Sequence, residues 1–267
     1  MSLVDEVIEA HGGLNRWRQA SAVRLRVSSG GLAFASKGQR TALHDLTATV
    51  STRGQAVTLE AATWSFRFGS LMPKPRGLRW STEEVAAFAA CALWTYVSLP
   101  FVLAELDVEE RGNQLVVHFP PQLRTHSPTQ VLHIDEERLI RRHDYTALDF
   151  GRLARASQEV GEYRQFGGIA IATRRRVRPS LWPHRPLLVW IDVHSVDVIP
   201  GFSRRGPGSG RVTVPPNDGS SEWASGADIA PDLHREPQKP PQLAVSTRRT
   251  EALNKCTTPV RETPLRG

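Results

Sequence analysis

Cysteine is scarce in this chain: 267 residues carry only Cys91 and Cys256. One lies in an apolar helical stretch and the other in a proline-rich region. A disulfide framework is therefore not expected, and two cysteines alone cannot build a zinc site. The usual catalytic signatures are missing too. There is no GxxxxGK[ST] loop, no GxGxxG, no HExxH, no CxxC and no GxSxG. GPGSGR, from residue 206, places its serine wrongly for a nucleophile elbow and lacks the strand–turn–helix setting. No run reaches about 18 uninterrupted apolar residues, so no membrane span is expected. The N-terminus, MSLVDEVIEAHGG, carries acids where a signal peptide needs Lys or Arg, which predicts a reducing, cytoplasmic location. A dense positive field is also absent. The formal charge of +7 divides into +3 from Pro200 onward, with 10 basic and 7 acidic residues, and +4 before it. Nucleic-acid binding is not expected from either part. Arginine outnumbers lysine heavily, which raises the pI without implying a partner.

What the chain does have is alternation. Leu3, Val4, Val7 and Ile8 recur at helical spacing and predict a short helix over 3–10, stopped by Gly12 and Gly13. A second turn, LNRWRQ, would dock through Trp17 on a sheet. Strands then follow. Val23, Leu25 and Val27 alternate with arginines, Leu32 and Phe34 open a second strand, and Leu46, Ala48 and Val50 form a third. Arg53-Gly54 makes a hairpin turn into Val57 and Leu59. Trp64, Phe66 and Phe68 alternate again and make the strongest apolar stripe in the chain. Ser81-Thr-Glu-Glu84 is a capping box that opens the main helix, over about 82–98, with Phe88, Leu93 and Tyr96 on its apolar side. Pro100 is expected to end it. From Gln130 to Val198 the segments QVLHID, RLIRRHDY, EYRQF, IAIATRRRV and LLVWIDVHSVDV read as consecutive strands of a meander. Past residue 200 the pattern stops. Nine of the 19 prolines fall in the last 67 residues, and a disordered tail is expected there.

The polar residues on these strands offer three candidates for acid–base or metal chemistry: the pairs His133/Asp135 and Asp192/His194, and His143-Asp144-Tyr145, in which His143 and Tyr145 share a face and Asp144 lies on the other. Residues i and i+2 on a strand share a face, so each pair could touch. The simpler reading puts the first two pairs on the solvated face and turns His143 and Tyr145 toward the core. Arg174 and Arg176 point opposite to Arg175, which splits that basic cluster between faces. Eight aromatics are candidates for a ligand cavity as well as for plain core: Trp64, Phe66, Phe68, Phe88, Trp94, Tyr96, Phe101 and Phe119.

Together the order is helix, strands, central helix, meander. AHGGLNRWRQASAVRLRVSSGG, ALWTYVSLPFVLA and LHIDEERLIRRHDY resemble a bacterial subgroup near the LolA-like lipoprotein carriers, over about residues 1–198. The resemblance implies an α+β, mainly β fold. A curved antiparallel sheet, an open half-barrel, would have helices over its concave face, in a domain 1–199 followed by a tail 200–267. It implies non-enzymatic binding or carriage of a hydrophobic, lipid-like ligand such as an acyl chain, with no cofactor, no metal and no catalytic residues. The alternatives are an enzyme using His143 or His133/Asp135, and an interaction module recruiting partners through the tail. The chain differs from those carriers in its acidic N-terminus and in a short, irregular link between the early strands and the helix, from Gly69 to Arg79, where a strand or two could be missing.

Overall fold

The computed structural model describes residues 1–69, 75, 77–180 and 186–201. The chain separates into a unit Met1–Gly208 and a unit Ser209–Gly267, and every described residue lies in the first. The expected tail beyond Gly201, Cys256 with it, lies outside the described residues, as does most of the link at 70–76.

Helix α1 (Leu3–Ala10) starts at a reciprocal cap. Asp5 N donates to Ser2 Oγ at 3.1 Å, and Ser2 N donates to the Asp5 carboxylate at 3.1 Å. Gly12 takes φ 118°, and a Cβ there would stand 2.3 Å from the Gly168 carbonyl oxygen, so only glycine fits the approach of this turn to the sheet. Helix α2 (Leu14–Gln19) follows. Its Trp17 stacks on Phe101 at 4.4 Å, so it docks on the long helix rather than on strands.

Strand β1 (Ala20–Gly30) alternates as its arginines require, with Val23, Leu25 and Val27 buried. The strand expected at Leu32 and Phe34 is instead a one-turn helix, α3 (Leu32–Ser36). Gly31 turns the chain at φ 130°, where a Cβ would stand 2.3 Å from the Leu188 carbonyl oxygen. Alternation over three residues cannot overcome that turn. The hairpin strands β2 (Leu46–Ser51), β3 (Val57–Glu60) and β4 (Ser65–Phe68) match their patterns.

The long helix α4 (Thr82–Val102) opens on the expected capping box. Glu84 N donates to Ser81 Oγ at 3.1 Å and Ser81 N donates to Glu84 Oε2 at 2.9 Å. Sixteen of its 21 residues are buried, on every side of the helix. Thr82–Glu105 is long and apolar enough to cross a membrane by length and composition, but it is packed inside the protein. An apolar surface all round is the signature of a core helix.

The helix does not end at Pro100 but runs through it to Val102. Proline lacks the N–H that would bond the carbonyl four residues back, that of Tyr96. Arg175 supplies the donor instead: its Nη2 donates to Tyr96 O at 3.1 Å. A tertiary contact thus satisfies what the local sequence leaves open.

A 3-10 turn, Leu103–Glu105, leads into β5 (Asp107–Arg111) and β6 (Gln114–His118). Then come β7 (Thr129–Ile134), β8 (Ile140–Thr146), β9 (Arg155–Phe166), β10 (Ile169–Pro179) and β11 (Val189–Pro200). Among the described residues all 11 strands form one sheet in the order β4-β3-β2-β1-β11-β10-β9-β8-β7-β6-β5. Every pairing is antiparallel, and β1 pairs with β11 through Val23↔Val198 and Leu25↔Val196. The meander runs as expected from β7 to β11. The single long crossover joins edge strand β4 to edge strand β5, and α4 makes it. The helix must therefore travel from one edge of the sheet to the other, and it does so over the buried face. This is the open sheet with a helix-covered inner face that the sequence implied.

Candidate functional site

The two halves of α4 cover very different ground. Around Tyr96, the sheet presents polar side chains. Gln130 of β7, His143 of β8, Gln158 of β9 and Arg175 of β10 are all buried. Hydrogen bonds link them in two pairs, while Gln158 Nε2 is buried with no partner among the described residues. His143 Nε2 donates to Gln130 Oε1 at 2.6 Å, and Arg175 Nη1 donates to Gln158 Oε1 at 3.1 Å. The Arg175 guanidinium lies 4.5 Å from the Tyr96 ring centre, a cation–π contact strengthened by desolvation. No carboxylate among the described residues pairs with Arg175, and burial pulls its pKa below the usual arginine value. Burial, helped by the nearby Arg175 charge, pushes His143 down to about 3, so it is neutral at pH 7. His11, buried behind α1, falls to about 4 for the same first cause, while its Nδ1 donates to Val7 O at 2.7 Å. The free space beside Thr95, Tyr96, His143 and Gln130 is about 0 Å³. This end is full.

Around Phe88 the ground is apolar and open. A cavity of about 620 Å³ lies there. Its walls are Leu32 and Ala33 of α3, Phe88 of α4, Ala147, Phe150 and Leu153 of the β8–β9 connection, Val177 of β10, and Leu188 and Val189 at the start of β11. A void of about 40 Å³ adjoins it, sharing Phe88, Tyr145, Val177 and Val189, and reaches under α4 to Leu93 and Tyr96. Tyr145 stands between the two regions. Burial holds its phenol well above the usual tyrosine range, so it stays neutral.

The cavity wall is braced from behind. Phe88 stacks on His126 at 4.0 Å, and Phe150 meets Trp80 at 4.8 Å. His126 Nδ1 donates to Asp149 Oδ2 at 3.0 Å, which ties the loop before β7 to the β8–β9 connection. His126 Nε2 is buried with no hydrogen-bond partner among the described residues. Cys91 Sγ donates to Arg124 O at 3.2 Å, and burial raises this thiol to about 12, far from a reactive thiolate.

The structure divides the eight candidate aromatics. Phe88 lines both spaces and Tyr96 lines the smaller one. The other six line neither. Phe66 and Phe68 are buried between β4 and its neighbours, Trp94 and Phe119 are in the core, Phe101 is under Trp17, and Trp64 is half-buried against the core. Their stripe is real, and β4 packs it beside α4. Of the strand pairs, His143 and Tyr145 stay together on the buried side with ring centres 5.0 Å apart, and the other two come apart. His133 Nε2 lies 2.9 Å from Asp144 Oδ2, while Asp135 binds Arg141 and accepts from Leu139 N at 2.8 Å. Asp192 pairs with Arg176 at 2.8 Å, and His194 Nε2 lies 2.9 Å from Ser28 Oγ. Arg174 and Arg176 are paired to Glu162 and Asp192 on the outer face, opposite to Arg175 as the alternation requires. No group of three or more His, Cys, Asp or Glu stands close enough to hold a metal ion among the described residues.

Sequence reasoning missed most of the cavity wall. ALDFGRLA, residues 147–154, is a strand connection with three large apolar residues, Leu148, Phe150 and Leu153, and no alternation. A loop that greasy was the available signal, because a connection needs no apolar residues unless it covers something.

No protein-family model matches the chain, and no curated protein matches it in sequence. Solved structures do. The chain is similar to a LolA superfamily protein of Nitrosomonas europaea at 8% identity and TM-score 0.37, covering 72% of this chain and 91% of that one. It is also similar to a DUF1329 family protein of Desulfovibrio piger at 13% identity and TM-score 0.36, covering 76% of this chain and 96% of that one.

Proposed function

We propose that the protein binds, without chemistry, a hydrophobic lipid-like ligand in the cavity of about 620 Å³ beside Phe88. That cavity is the observation that carries the reading. Its volume falls in the range of about 300–1,000 Å³ expected of small-molecule sites. Its wall is almost entirely hydrocarbon, so affinity would come from apolar burial, about 25 cal/mol per Å² before association costs. A dry apolar wall leaves no unmet hydrogen bonds when empty, which is how a folded protein tolerates such a space.

The enzyme reading through His143 has less support. Its ring is walled in, with about 0 Å³ beside it, and His133 and Asp135 serve separate ion pairs. Two measurements test the binding reading: native mass spectrometry of the purified full chain, and displacement of a fluorescent fatty acid. Co-purified lipid or saturable displacement is expected. Absence of both would overturn it.

A further inference from the structure

The mouth of the cavity is apolar where a protein surface is usually polar. Leu32 and Leu153 belong to the wall, yet Leu32 is 57% exposed and Leu153 92% exposed. The space therefore meets solvent between α3 and the β8–β9 connection. Two more exposed leucines lie in neighbouring segments, Leu148 in that same connection and Leu78 in the stretch before α4. Lys37 ties the Leu78 stretch to the end of α3. Its Nζ donates to Gly77 O at 2.9 Å, and its carbonyl accepts from Trp80 N at 3.0 Å. Among the described residues, the one other exposed large apolar side chain is Met1. Exposed leucines scattered singly are ordinary on a protein surface, but four gathered around one opening mark an interaction site.

The charges around this rim lean to one sign. Lys37 Nζ lies 5.3 Å from the ring centre of Phe150, a wall residue. A Cβ on Gly38, the next residue, would stand 3.9 Å from Arg79 Nη1. Arg40 and Arg152 are exposed, the latter directly before Leu153. The nearby acids are committed inward or offset. Asp149 is bonded to the buried His126 at 3.0 Å. Glu83 and Glu84 stand in the first turn of α4, against the positive end of its dipole, and Glu84 caps Ser81 N at 2.9 Å.

Leucines standing among cations match one kind of surface, hydrocarbon beneath an anionic layer. We propose that this rim docks on an anionic lipid bilayer: Leu32, Leu78 and Leu153 enter the boundary between headgroups and acyl chains, while Lys37, Arg79 and Arg152 meet lipid phosphates. The proposal goes beyond the binding reading above and stands on the rim's own residues. Buried leucine side chains and cations held near an anionic surface add their contributions, as they do for other interfacial segments. Docking also gives the chamber a source. An acyl chain that crosses open water exposes its whole length, at about 25 cal/mol per Å². With the mouth pressed to the bilayer, the chain moves from one apolar surroundings to another without that exposure.

Flotation of the full chain with vesicles tests this, alongside displacement of a fluorescent fatty acid in vesicle-free solution. Vesicles of phosphatidylcholine mixed with phosphatidylglycerol should capture wild type at least about tenfold more strongly than pure phosphatidylcholine, and high salt should narrow the difference. Leu78→Ser, which lies off the cavity wall, should weaken capture about tenfold and leave displacement unchanged. Arg79→Gln and Arg152→Gln should each weaken capture about fivefold. Circular dichroism of the three variants should match wild type, because the replaced side chains are exposed. Wild type that displaces the probe but floats with neither vesicle would overturn docking and leave the cavity reading standing. Capture that survives all three substitutions would put membrane binding elsewhere in the chain and overturn the role of the rim. Capture that depends on the rim, without displacement or co-purified lipid, would overturn the cavity reading and support docking.

Discussion

The two halves of α4 rest on opposite solutions to the same packing problem. Near Tyr96 and Pro100 the sheet side chains are polar and closely packed, and the void that reaches Tyr96 is about 40 Å³. Near Phe88 they are apolar, and about 620 Å³ is left open. The difference follows from what each surface costs when unpartnered. A buried guanidinium or amide without a partner costs roughly 1–3 kcal/mol, more if charged, so the polar end must close tightly around its hydrogen bonds. A hydrocarbon wall loses only dispersion and burial when it faces a void, so the apolar end can stay open for a ligand. One helix thus serves as a rigid, bonded anchor at one end and as a lid over a chamber at the other.

Substitutions at the two ends should separate these roles. Phe88→Ala, at the open end, removes a buried ring that stacks on His126. It should cost about 3–5 kcal/mol in urea denaturation and enlarge the chamber; a loss below about 1 kcal/mol would mean the wall is not braced as described. Arg175→Met, at the closed end, orphans Tyr96 O and Gln158 Oε1 and should cost about 2–4 kcal/mol. Pro100→Ala gives Tyr96 O an amide donor of its own. The double variant should therefore be more stable than the sum of the single effects, by about 1 kcal/mol in a mutant cycle. Strict additivity would show that the guanidinium does not replace the missing helix bond.

Acid should attack the closed end first. His143 and His11 are held at about 3 and about 4, below the ordinary value of 6.5. The unfolded chain therefore binds their protons at higher pH than the folded one. Their stabilising effect is complete above pH 6.5 and is lost progressively as pH falls toward those lower values. The slope from both together should approach about 2–3 kcal/mol per pH unit. Denaturation midpoints measured from pH 7 to pH 4.5 should drop more steeply in wild type than in His143→Gln, and parallel curves would break the assignment.

The smallest stability effects belong to the cavity itself. Val177→Phe should fill the chamber, change stability by about 1 kcal/mol or less because there is room for the ring, and abolish probe binding. Leu153→Ser at the rim should leave stability within about 0.5 kcal/mol while weakening binding several-fold. Together these two would show that the open end serves a ligand and not the fold.

Much of this architecture was readable because it is local. Two-residue alternation placed β1, β2, β3, β4 and β7 to β11, and the capping boxes or cap glycines placed α1 and the start of α4. Two elements escaped. Strand β5 reads DVEER, with only Val108 half-buried, so an edge strand in water left no apolar pattern. Helix α3 looked like a strand until Gly31 turned it.

What the sequence determined by itself was therefore the supply of strands, the long apolar helix and the buried face between them, since period and capping are properties of neighbours along the chain. Tertiary structure alone decided where that face would be full and where it would be empty. Pro100 ends a helix in any local reading, yet α4 continues, because Arg175, 75 residues later, reaches the carbonyl that proline leaves bare. The same holds for the chamber. Phe88, Phe150, Leu153, Val177 and Leu188 come from four separate stretches, and the space among them is set by how those stretches pack, a distance that no single stretch records.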